Sequence, residues 1–103
     1  MSMKLFTVAD IDIPTAGTRV QLSATATPVT TVIIQAKASN TGLVFVGDAS
    51  VAAGQGISLA AGKAIALNAD DFGEGAGEFL LSDIYVDAAT NGDDVKVSYI
   101  KRR

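Results

Sequence analysis

Three sets of residues in this chain have the types and spacing to do chemistry. The first is FGEGAGEF, residues 72–79, where Gly73, Gly75 and Gly77 recur at every second position. A phosphate-cradling loop follows a strand and opens a helix, so that N-terminal N–H groups face the anion. Here the loop runs into LLSDIYV, which alternates like a strand, and no Lys or Ser/Thr follows at P-loop spacing. Glu74 and Glu78 stand where a phosphate needs positive potential. The sequence therefore predicts an inter-strand connection, either free or ordered against a neighbouring subunit through the flanking Phe72 and Phe79.

The second set is DAATNGDD, residues 87–94, with three Asp and an Asn around Gly92. Oxygen ligands on a tight turn can hold Ca²⁺, but an EF-hand loop needs alternating acids and a Glu at its twelfth position. Neither is present, and the expectation is a hairpin turn carrying solvated acids. Asp70, Asp71, Glu74 and Glu78 form a second, equally loose cluster of oxygens. No metal site is expected. The third set is the carboxylates taken as pairs. Glycoside hydrolysis needs two acids flanking a sugar in a cleft, and a short chain with six aromatic residues has little from which to build one.

Absent residue types narrow the chemistry further. The chain has no His, hence no imidazole base and no Ser-His-Asp relay of its own. It has no Cys, hence no disulfide, thiolate ligand or thiol nucleophile. No cofactor motif remains, and the chain reads as non-enzymatic.

Charge is unevenly placed. Eight of the eleven acidic residues fall between Asp70 and Asp94, whereas the chain closes on Lys101-Arg102-Arg103. A net charge of −3 disfavours nucleic acid as a partner. The basic tip is either a solubilising tail or a dock for an acidic partner surface. No apolar run reaches the ~18 residues of a membrane helix, and no secretory signal is read at the start.

The elements that must position these groups are strands. In TTVIIQAKAS, Val32, Ile34, Ala36 and Ala38 share one face, and Thr31, Ile33, Gln35 and Lys37 the other. In DVKVSYI, Val95, Val97 and Tyr99 alternate with Lys96, Ser98 and Ile100. Period two is the signature of a half-buried strand. Strands are expected near 4–9, 18–23, 31–38, 43–47, 57–59, 64–67, 83–87 and 94–100. The Ala-rich stretch 49–72 is the ambiguous one, two short strands or a short helix. Gly54, Gly56 and Gly62 break a helix there, and Ile57, Leu59, Ile65 and Leu67 fit two short strands joined by an Ala-Gly-Lys turn. Asn40-Thr41-Gly42 and Asn91-Gly92 supply hairpin-type turns. The fold class expected is all-β: a single β-sandwich or jelly-roll-like domain of about seven to eight short antiparallel strands. Residues 1–5 and 101–103 could be terminal arms. Leu5, Phe6 and Val8 spread over both faces of the first strand, as they would in a buried strand or in an arm that adds to a neighbour's sheet.

VIIQAKASNTGLVFVGD, ISLAAGKAIAL and LSDIYVDAATNGDDVKVSYI together resemble small structural proteins of tailed-bacteriophage virions. The matching positions are Ala36, Asn40, Gly42, Val46, Gly47 and Asp48, then Leu59 and Gly62, then Asp83, Ile84, Tyr85, Val86, Gly92, Val95, Val97 and Tyr99. The resemblance covers roughly residues 32–100. It implies a β-sandwich on the virion surface, a head decoration (cement) protein bound to the major capsid protein and acting as a homo-oligomer, with a trimer favoured. A tail, collar or head-fibre component fits the same pattern. So does a carbohydrate-binding sandwich, for which Phe72, Phe79, Tyr85 and Tyr99 are the available stacking rings. The interface residues expected are Leu5, Phe6, Phe72, Phe79, Lys101, Arg102 and Arg103.

Overall fold

The computed structural model describes residues 3–52, 54–69 and 78–102. The described residues form eleven strands: β1 (Met3–Thr7), β2 (Ile11–Ile13), β3 (Val20–Gln21), β4 (Pro28–Val29), β5 (Thr31–Ala36), β6 (Val44–Gly47), β7 (Ile57–Leu59), β8 (Ala64–Asn68), β9 (Phe79–Leu80), β10 (Tyr85–Ala88) and β11 (Asp93–Arg102). One sheet has the order β1-β11-β5-β8, with β2 also pairing to β11; the other has the order β3-β10-β6-β7. β4 and β9 make a separate two-stranded ribbon. Every pairing is antiparallel.

β1 and β2 are one strand interrupted by a bulge. Thr7 lies opposite Ser98, but Ile11 lies opposite Val95, so three residues of one strand span two of the other. The extra residue changes which parity faces inward. Phe6 and Val8 face the core side before the bulge, and Ile11 and Ile13 face it afterwards; Ile13 is fully buried. Counting β1 and β2 as one strand, and setting the ribbon aside, leaves eight strands. Their orders are 1-8-3-6 and 2-7-4-5, the connectivity of a jelly roll. The core lies between the two sheets. Val32, Ile34, Val95 and Val97 project from one, and Val44, Val46, Val86 and Ala88 from the other.

Strand positions follow the sequence reading closely, including the two short strands of the Ala-rich stretch. The connections differ from it. Asn40-Thr41-Gly42 joins β5 to β6, and Asn91-Gly92 joins β10 to β11, but in each case the two strands lie in different sheets. Neither is a hairpin; both are arches across the sandwich. Consistent with this, Asn91 keeps a negative φ while Gly92 takes +83°, whereas the common two-residue hairpin turn with Asn-Gly needs both positive. The Ala-Gly-Lys turn likewise carries the chain from β7 in one sheet to β8 in the other. Within the expected terminal arms, residues 3–5 and 101–102 are not free but pair with each other in β1 and β11; residues 1, 2 and 103 lie outside the described residues. The glycine loop, Asp70 and Asp71 lie outside the described residues, as do Phe72 and Arg103.

The two arches pack against each other, which explains one glycine. A Cβ on Gly42 would sit 2.6 Å from Thr90 Oγ1. Gly42→Ala is therefore expected to cost about 1–3 kcal/mol through overpacking. Adding Thr90→Ala removes the clashing oxygen and recovers most of that loss. A double-mutant cycle by urea denaturation measures the coupling; additive effects would show that the arches do not touch here.

Candidate interaction surface

Three regions hold the residues with functional potential. The first is the end of the sandwich where the arches lie, and where the acids of DAATNGDD gather. Two of these acids are buried, which corrects the expectation of solvated carboxylates. Asp93, 5% exposed, accepts the N–H of Thr41 at 3.0 Å on one oxygen and the N–H of Gly42 at 2.9 Å on the other. Asp87, fully buried, accepts the N–H groups of Gly17 (2.9 Å) and Ala88 (2.7 Å) on Oδ1, while its Oδ2 has no partner among the described residues. Asn40 pairs its side-chain amide with both backbone groups of Asp94. These residue types recur here because the backbone of the connections leaves N–H groups that no ladder satisfies. Carboxylates and amides take that role, so the apparent cation cluster is a set of stitches between loops. Among the described residues, no group of three or more acidic side chains gathers where it could hold a metal ion.

Beside the stitches lies an exposed ionic group. Lys37 Nζ stands 3.0 Å from Asp10 Oδ2 and 3.3 Å from Asp94 Oδ2. Its ammonium is held above the ordinary lysine range, chiefly by the bond to Asp10 and next by that to Asp94. Asp12 faces Asp94 across the strands. The hydrogen bond to the Asp94 carboxyl, then burial and like-charge repulsion, hold the Asp12 carboxyl above its usual 3.8. A carboxyl raised in the folded state binds its proton more tightly there than in the unfolded chain. The pair therefore weakens the fold as pH rises from 3.8 through the raised value, and the penalty is complete above it. Asp12→Asn should raise the melting temperature at neutral pH, and the gain should vanish at pH 3.8 and below; scanning calorimetry at both values tests this.

The second region is a cavity of about 320 Å³ where edge strands β7 and β8 of the two sheets face each other. Ile57, Leu67, Phe79 and Ile84 give it an apolar lining, with Asp48 and Asp83 also on its wall. Asp48 is occupied by a local turn: it accepts the Ser50 hydroxyl and N–H, which hold its carboxyl below the usual range.

The third region is the outer face of the β1-β11-β5-β8 sheet. The registers place Leu5 beside Ile100 and Thr31, and Thr7 beside Ser98, Ile33 and Ala66. Met3 lies on the same face, two residues from Leu5. Met3 is 52% exposed, Leu5 59% and Ile33 37%, so three of the five exposed large apolar residues among those described share this one surface. Its polar members near β1 are mostly hydroxyls and an amide, and Thr31 Oγ1 bonds Asn68 Oδ1 at 2.9 Å. On the reverse side of β1, Phe6 stacks on Tyr99 with ring centroids 5.2 Å apart. Lys4 and Lys101 both bring Nζ over the Phe6 ring, at 5.2 and 5.6 Å. The aromatic face offsets the like charge of these cross-strand neighbours.

Of the interface residues expected from sequence, Leu5, Phe6 and Lys101 meet at β1, and Arg102 joins them as the backbone partner of Met3. Phe79 lies elsewhere, in the wall of the cavity. Met3, Ile33 and Ile100 were not among the expected residues. Their signal was an apolar side chain in the polar phase of an otherwise alternating strand: Ile33 among Thr31, Gln35 and Lys37, and Ile100 after Lys96 and Ser98. No protein-family model, curated protein or solved structure matches the chain.

Proposed function

We propose that this chain is a non-enzymatic structural protein of a tailed-bacteriophage virion, a capsid decoration protein that binds the outer surface of the head through the major capsid protein and acts as an oligomer. The observation that carries the reading is the outer sheet face with Met3, Leu5 and Ile33 exposed together, because contiguous exposed apolar surface marks an interaction site. The resemblance over residues 32–100 supplies the class of partner. The jelly-roll connectivity agrees with it at the level of fold analogy, since viral capsid domains share that architecture with lectins. Decoration needs no reaction. A protein that binds only the assembled, expanded lattice stabilises that state by its differential affinity.

Co-sedimentation with purified expanded heads of the phage that encodes the chain tests the reading. Saturable retention is expected, together with a higher temperature of head disruption. Leu5→Asp combined with Ile33→Asp should abolish both while the isolated protein stays folded. Absence of retention on heads would overturn it. A second reading rests on the cavity between β7 and β8, where Phe79 and the Asp83 carboxylate could receive a sugar on a tail or head-fibre component; a glycan array with no bound ligand would remove it.

A further inference from the structure

The open edge of β1 carries the furthest inference. β1 pairs with β11 on one side, and on the other with no strand among the described residues. Val8 N–H donates to Val97 O at 3.0 Å. This bond sets the phase of the ladder: Val8, Phe6 and Lys4 turn their backbone groups toward β11, and Met3, Leu5 and Thr7 turn theirs outward. The far side of β11 agrees, since the carbonyls of Asp94 and Ile100 accept from Lys37 and Thr30 on the β5 side. Three residues with outward N–H and C=O, two of them among the most exposed apolar side chains of the protein, form a template for another strand.

We infer that this edge pairs with β1 of a second copy, antiparallel about a two-fold axis at Leu5. In that register Leu5 lies opposite the second copy's Leu5, and Met3 opposite its Thr7. All three outward residues then exchange both backbone bonds with their counterparts. Lys4 falls opposite the second copy's Phe6, so each ammonium meets an aromatic ring rather than another ammonium. The register centred on Lys4 sets two like charges face to face at the shorter cross-strand distance. The register centred on Phe6 leaves Met3 beyond the second copy's β1. Strand MKLFT is thus self-complementary in one register, as a two-fold interface requires. The other edges offer less: β3 and β7 are two and three residues long, and β8 turns outward only Ala64, Ala66 and Asn68. Pairing at β1 joins the two outer faces into one continuous apolar surface, with both copies of Leu5 at its centre. The inference does not depend on the partner proposed above.

Light scattering on the whole chain should give the mass of a dimer. Leu5→Pro removes an outward N–H and no bond to β11, and is expected to yield a folded monomer with an unchanged far-UV spectrum. Leu5→Cys provides an independent measurement in a chain that has no other cysteine. At the two-fold axis the paired Cα atoms stand about 5.5 Å apart, within disulfide reach. Mild oxidation should therefore cross-link this variant, and not Ala66→Cys on the β8 edge. If Leu5→Pro unfolds, the cross-link alone decides. A wild-type monomer, a trimer, a cross-link at Ala66, or Leu5→Cys remaining uncross-linked would each overturn the inference. Failure to bind phage heads would leave it untouched.

Discussion

Replacing Asp93 with alanine is expected to destabilise the protein by about 2–4 kcal/mol, a large share of the margin of a chain this size. Its two oxygens accept the N–H groups of Thr41 and Gly42, one each. Alanine leaves both donors without their partner at the point where one arch rests on the other. Asn at the same position keeps one acceptor and should lose about half as much. Urea denaturation measures both. A loss within about 0.5 kcal/mol for Asp93→Ala, the range of ordinary surface changes, would mean that solvent replaces the carboxylate and the stitch is ornamental.

Deletion of Ala9 together with Asp10 is expected to be more damaging still, although both residues are exposed. Val8 alone is then left opposite two residues of β11, and the parity of the strand reverses. Ile11 and Ile13 turn outward and Asp12 turns toward the core. The fully buried Ile13 forfeits about 1.5–3 kcal/mol of burial, and an unpaired inward carboxylate adds several more. If β1 slips instead, Phe6 leaves Tyr99 and Leu5 is driven inward. Circular dichroism and thermal melting should find the double deletion unfolded or severely weakened. Deletion of Ala9 alone removes only the bulge, restores one-to-one pairing and keeps every side chain on its face, so it should melt near wild type. A double deletion that melts within a few degrees of wild type would make residues 8–10 an ordinary loop.

These two positions show where the sequence was legible. Val32, Ile34 and Ala36 alternate because one face of β5 is buried, so the strand and its inward side could be read directly. Which strand pairs with which could not. Ser39 to Gly42 has the composition of a hairpin, yet it spans the sandwich, because turn residues report a change of direction and not the sheet that receives the chain. β2 was overlooked because its apolar parity is opposite to that of Phe6 and Val8. The switch from even to odd positions was the mark of the bulge. β4 and β9, two residues each, are too short to show a period. Asp87 and Asp93 looked solvated because Asp on a Gly-containing turn generally is. Only the neighbouring loops, distant in sequence, supply the N–H groups that justify burying them. At the candidate surface, Leu5 and Phe6 stood out by type, whereas Ile33 and Ile100 became meaningful once the registers aligned them with Leu5.

The connectivity also governs the order in which the protein can be made. β11 is an inner strand of its sheet, flanked by β1 and β2 on one side and by β5 on the other. Yet it is the last of these strands to be synthesised, and β10, equally central in the second sheet, comes just before it. Until both emerge, one sheet holds β1 apart from the β5–β8 pair, and the other holds β3 apart from the β6–β7 pair. Non-local pairing of this kind folds slowly, on the order of milliseconds to seconds. The sandwich therefore closes only after β11 has left the ribosome, and a nascent chain stalled before Asp93 is a substrate for chaperones or for aggregation rather than a partly built domain.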